Sequence, residues 1–95
     1  MVNIDKTNSS PAVITKTVNI STVNDVKDFV EIACRHNCNA TLISGRFAID
    51  AKSIMGVFSL DVSKPLTLEL EPNKNGGNDD RDSFVEAIAP YIVND

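Results

Sequence analysis

A serine standing just before a short apolar run is the residue of this chain best arranged for chemistry. Ser53 opens the stretch Ser53-Ile54-Met55-Gly56-Val57-Phe58-Ser59-Leu60. A serine in that place caps a helix by accepting a backbone N–H. The same hydroxyl is a candidate phosphorylation site, because a phosphate there meets unpaired N–H groups and the positive end of the helix dipole. The gain is about 0.3–1 kcal/mol, which a fold tolerates without switching, so the effect is a new charge for a partner to read. A short helix cannot turn Ile54, Met55, Val57, Phe58 and Leu60 all inward. Val57, Phe58 and Leu60 read mainly as core. Ile54, Met55 and Phe58 form the candidate partner-binding set, with methionine suited to an adaptable contact surface.

The remaining reactive residues form no catalytic group. Cys34-Arg35-His36-Asn37-Cys38 holds both cysteines and the single histidine. Two thiols four apart share a helix face, but His36 is out of phase with both, and a zinc site needs a fourth ligand. Core or half-buried reduced thiols with a surface histidine are the expectation. Ser44, Ser59 and Ser83 have no partner base. Asp79-Asp80-Arg81-Asp82 fits no calcium loop and is expected to start a helix, where acidic residues suit the dipole. Arg46, Lys52 and Lys64 make at most a thin basic rim around Ser53. No cofactor and no metal are expected.

Bulk properties set limits on what those residues serve. Ninety-five residues with 42% apolar and 23% charged content make one globular domain. The net charge of −4, with nine scattered basic residues, argues against nucleic acid. No apolar run approaches the length of a membrane span, and no signal pattern opens the chain, so a cytoplasmic location is expected.

The elements that position Ser53 follow from periodicity. Residues 1–12 are polar and aperiodic, read as a flexible arm before a domain over 13–95. Val13-Ile14 and then Val18-Asn19-Ile20 suggest a first strand with alternating apolar positions, the second half being the better candidate. Thr22 with Asp25 resembles a capping box, Asn24 being an alternative N-cap. Val26, Phe29, Val30, Ala33 and Cys34 then trace one helical face ending near His36 or Asn37. Two strands, Asn39–Ile43 and Phe47–Ala51, flank a Ser44-Gly45-Arg46 turn. Ser53 caps a short helix running to about Leu60. Leu66, Leu68 and Leu70 alternate with polar residues in a half-buried strand. A polar loop spans Asn73 to Asp80, and a last helix has Phe84, Val85, Ile88 and Ile92 as its inner face, with Pro90 expected to end or kink it. The order β-α-β-β-α-β-α, with its hairpin, predicts an α+β domain with helices on one face of an antiparallel sheet.

With that order, Ala51 to Leu60 resembles the HPr family of phosphocarriers of the bacterial sugar phosphotransferase system. Lys52-Ser53-Ile54-Met55-Gly56 is similar to the regulatory serine segment of its Gram-positive members, and the likeness runs ungapped from Thr17 to Leu70. The resemblance implies an open-faced sandwich, a four-stranded antiparallel sheet of order 1-4-2-3 with three helices on one face. It implies that Ser53 is phosphorylated by an HPr kinase-like enzyme, and that residues at the Ile54 and Met55 positions contact the kinase and a transcriptional regulator. The family's other motif has no match. Counting back from Phe29-Val30, its histidine, arginine and proline fall on Thr22, Asn24 and Asp25. A phosphothreonine is a stable ester that does not readily pass its phosphoryl group on, and Asp25 and Asp28 are expected to set carboxylates near that anion slot. The logic is similar to that of the branch of the family that lacks the histidine and acts in catabolite repression. The alternatives are a phosphocarrier in sugar phosphotransfer using another residue, His36 being the one histidine, and an interaction module unrelated to sugar transport.

Overall fold

The computed structural model describes residues 13–73 and 79–93. The expected N-terminal arm, and residues 74–78 of the expected polar loop, lie outside the described residues. In chain order the elements are β1 (Ile14–Val18), α1 (Val23–Arg35), β2 (Asn39–Ser44), β3 (Phe47–Asp50), α2 (Ile54–Phe58), β4 (Leu66–Glu71) and α3 (Arg81–Ala87), with a 3-10 turn over Ala89–Tyr91. The sheet is antiparallel with order β1-β4-β2-β3. It carries the three helices on one face, so the expected open-faced sandwich is the fold.

Registry sets the leucines of β4 beside apolar residues of β2 and, except at Lys16, of β1. Val18 faces Leu66, and Leu68 faces both Lys16 and Leu42. Leu70 lies between Ile14 and Ala40. Leu42, Leu66, Leu68 and Leu70 are buried, and α1 covers them with Val26, Phe29, Val30 and Ala33. The Phe29 ring meets Phe84 of α3 edge-on at 6.1 Å and Tyr91 at 6.3 Å, a geometry aromatic quadrupoles favour. Pro90 does end α3, converting its continuation to the 3-10 turn. The C-terminal segment then closes the outer edge of β1: Ile92 bridges Val18, Asn19 N–H donates to Tyr91 C=O, and Val93 N–H donates to Thr17 C=O.

Four expectations need correction. Cys34 is exposed, and Ile32 is buried in its stead. At about 100° per residue the apolar stripe centres on Phe29 and Ala33, which leaves Ile32 about 80° from its middle and Cys34 about 120°. The strand before α1 ends at Val18, and Ile20 is buried from the connection instead. α2 stops at Phe58, and Leu60 reaches the core from the following turn. Lastly, Asp80 stands at the N-cap of α3 but makes no side-chain cap there. Its two carboxylate oxygens accept the N–H groups of Asn37 at 2.7 Å and Cys38 at 3.0 Å. It thereby ties the exit of α1 to the start of α3.

That tie is the polar counterpart of the core. Partial burial alone would raise the Asp80 carboxyl. The two N–H donors, with His36 nearby, more than reverse this and hold it below its ordinary value. A depressed folded pKa gives stability that is fully present above the unfolded value of about 3.9 and is lost as pH falls through the folded one. Asp80→Ala removes the carboxylate that accepts both N–H groups and is expected to cost about 1–3 kcal/mol in urea unfolding at neutral pH. The mutant-to-wild-type gap should shrink below pH 4; a gap independent of pH would contradict the assignment.

Candidate functional site

The corner between β3 and α2 is built by hydrogen bonds to Asp50 that leave Ser53 at the surface. Lys52 N–H donates to Asp50 Oδ1 at 2.9 Å and Ser53 N–H donates to Asp50 C=O at 2.9 Å. Ser53 then has extended backbone angles, the N-cap conformation, and its Oγ accepts Gly56 N–H at 3.3 Å. Ser53 C=O accepts Val57 N–H at 2.9 Å, the first intrahelical bond. The predicted cap is thus present, and the hydroxyl is exposed.

Only one residue within α2, Val57, is buried. Met55 is 79% exposed, Phe58 40% and Ile54 37%. Sequence reasoning placed Met55 and Ile54 outward as found, but its leaning toward Phe58 as core does not hold. Five residues make barely more than one turn, so one side chain exhausts the inward direction. Phe58 therefore joins Ile54 and Met55 as an apolar group at the surface.

Gly56 is the residue the sequence reading passed over. A Cβ at this position would come within 2.7 Å of Ile49 Cγ2 and 3.1 Å of Ser53 Oγ. The bare glycine lets α2 lie on β3 and leaves room for the serine hydroxyl. A lone glycine inside an otherwise apolar helical run was the available signal. Beside this corner a groove runs between α1 and α2, lined by Lys27, Glu31, Cys34, Lys52 and Ile54. Across it the Cys34 thiol lies 3.6 Å from the Lys52 carbonyl. Arg46 and Lys64 are exposed and Lys52 half-buried.

The start of α1 closes on itself. Thr22 is the N-cap: its Oγ1 accepts Asp25 N–H at 3.0 Å, and its C=O accepts Val26 N–H. Asn24, the alternative, is an exposed helical residue. Asp28 was expected to face an anion slot, but its carboxylate accepts the Tyr91 hydroxyl at 2.5 Å. That bond, with burial and the Asp28 charge behind it, pushes the Tyr91 hydroxyl up to about 12.

The Cys34–His36–Cys38 cluster does not converge. His36 is half-buried rather than a surface residue, with Nδ1 2.8 Å from Ile32 C=O and Nε2 3.3 Å from Ser83 Oγ. Its ring lies 5.0 Å from Phe84. Cys38 is buried, and burial with Asp80 alongside raises its thiol to about 11, so it stays protonated. Among the described residues no three His, Cys, Asp or Glu side chains are grouped to hold a metal ion. No described helix is long and apolar enough to cross a membrane.

An open-faced sandwich of this strand order, with a serine-capped second helix, defines the class to which the molecule conforms. Residues 13–93 match the profile of the PTS-HPr family, described as the PTS HPr component phosphorylation site. The chain belongs to that family. Among solved structures it is similar to the phosphocarrier protein HPr of Bacillus anthracis str. Ames. That likeness has 26% identity and a TM-score of 0.67, and covers 86% of this chain and 99% of that one. HPr-C-His from Thermoanaerobacter tengcongensis shares the fold at 24% identity and a TM-score of 0.66, over 81% of this chain and 88% of that one. The histidine-containing phosphocarrier protein of a Mycoplasma does so at 17% identity and a TM-score of 0.60, over 83% and 89%. No curated protein matches the sequence significantly.

Three substitutions test how the corner is held. Ser53→Ala should cost about 1 kcal/mol of stability by removing the cap. Gly56→Ala should cost about 1–3 kcal/mol, because overpacking against Ile49 outweighs the gain in helix propensity. Met55→Ala should lie within about 0.5 kcal/mol of wild type. Urea unfolding measures all three, and a stabilising Gly56→Ala would contradict the close approach.

Proposed function

We propose that this chain is a regulatory member of its family, working in the cytoplasm by being phosphorylated on Ser53 and then recognised. The carrying observation is the exposed Ser53 cap beside Met55, which is 79% exposed. A serine hydroxyl at the surface, held by a single 3.3 Å bond from Gly56 N–H, is open to a kinase. Ile54, Met55 and Phe58 offer apolar contacts on the same short helix.

A helix of five residues supplies little dipole, so the phosphate acts chiefly as an added charge of about −1.5 to −2. The chain already carries −4. The matching partner surface therefore brings arginine or lysine to the phosphate and an apolar pocket to Met55. An HPr kinase-like enzyme that adds the phosphate, and a transcriptional regulator of carbon metabolism that reads it, are the partners proposed. The protein performs no catalysis of its own in this reading.

Histidine phosphotransfer is not part of it. Thr22 occupies the position where the family's histidine is expected, and the single histidine, His36, caps the other end of a 13-residue helix, about 20 Å away at 1.5 Å per residue. Both ring nitrogens of His36 are engaged.

Incubation with HPr kinase and ATP should add one phosphate to the wild type, located on Ser53 by mass, and none to Ser53→Ala. An unmodified wild type, beside a control HPr that the same kinase modifies, would overturn the regulatory reading. With phosphoenolpyruvate and enzyme I no acid-labile phosphate should form. Its appearance on His36 would instead establish a carrier.

A further inference from the structure

The two edges of the sheet differ. The C-terminal segment closes the outer side of β1, whereas among the described residues no strand lies beyond β3. An open edge invites pairing with another chain, and here Phe47 stands on it 67% exposed. Phe47 pairs with Ser44, Ile49 with Leu42, and all lie on the helix-bearing face, since residues two apart share a face.

The hydrogen-bonding parity of that edge can be derived. Ala51 N–H donates to Ala40 C=O. Antiparallel bonded pairs alternate, so Leu42–Ile49 and Ser44–Phe47 are bonded pairs as well. Ala48 therefore directs both its N–H and its C=O away from β2, as does Asp50. The Asp50 carbonyl is taken by Ser53 N–H at 2.9 Å, which leaves its N–H to the edge.

We infer that β3 is a self-association edge, on which two copies pair antiparallel about a two-fold axis at Ala48. In that register each Ala48 N–H meets the Ala48 C=O of the second copy, and each Asp50 N–H meets the Arg46 C=O of the second copy. Phe47 falls opposite Ile49, an aromatic and β-branched cross-strand pair. Arg46 falls opposite Asp50, twice by symmetry, and the centre holds only two alanine methyl groups. A shift of two residues one way would set Arg46 opposite Lys52 and aim Ala48 N–H at the carbonyl already taken; the other way it would set Arg46 opposite Ala48 and Asp50 opposite Ser44, losing both the charge pairs and the Asp50 N–H bond. A shift of one residue would exchange faces and lose the bonds. Charge and parity thus select one self-complementary register, which closes at two copies because the other edge is covered.

Sedimentation equilibrium of the full chain is the test. The mass should rise from 10.3 kDa toward twice that value as concentration is raised to about 1 mM. Ala48→Pro removes only an outward N–H and should hold the mass at the monomer value. Arg46→Glu, in an exposed turn, should do the same by setting two carboxylates face to face, and adding Asp50→Lys to it should restore the dimer. Each variant is checked for a native far-ultraviolet spectrum. A wild type that stays monomeric throughout, or a dimer that both natively folded single variants retain, overturns the inference.

Discussion

One buried side chain and one missing one hold the functional corner in place. Val57 is the only buried residue within α2, and Gly56 lets the helix approach Ile49 more closely than any Cβ would allow. A helix of little more than one turn has no stability of its own. The exposure of Met55, the cap made by Ser53 and the line of the groove beside α1 all follow from that docking. Were α2 to lift, Ser53 would lose its Gly56 partner and the apolar triplet would lose its arrangement. The proposed partner surface is thus set by packing on its hidden side.

The two ends of α1 divide the molecule's labour. At its start, Thr22 and Asp25 satisfy the helix internally, and Asp28 is committed to Tyr91. At its exit, Asp80 holds Asn37 and Cys38 while His36 packs on Phe84. These bonds join α1 to α3 and the C-terminal segment, and together with the Phe29–Phe84–Tyr91 ring cluster they make a rigid back. The functional reading accordingly rests on the α1–α2 side, where exposed apolar groups and the serine lie together.

Much of this was legible in the sequence, for reasons that can be named. Val26, Phe29, Val30 and Ala33 repeat at helical spacing, Leu66, Leu68 and Leu70 alternate, Gly45 turns the hairpin with a φ of 58°, and Pro90 stops α3. These are local signals, read within a few residues. Ser53 was legible as a cap for the same reason. What was not legible depends on distant partners. Asp80 looked like a helix-starting acid, because nothing near it shows that its acceptors serve backbone 42 and 43 residues away. His36 looked exposed because Phe84 and Ser83 come from α3. Phe58 looked buried because its hydrophobicity is visible, whereas the end of α2 at Phe58 instead of about Leu60 is not.

The central claim is that a charge placed on Ser53 and the apolar groups beside it are read together by a partner. Calorimetric titration of a transcriptional regulator of carbon metabolism with the unmodified and the Ser53-phosphorylated chain tests it most directly. The account predicts that phosphorylation tightens binding at least about tenfold, roughly 1.4 kcal/mol, and that Met55→Ala in the phosphorylated chain removes most of that affinity. Equal binding of the phosphorylated and unmodified forms would contradict it.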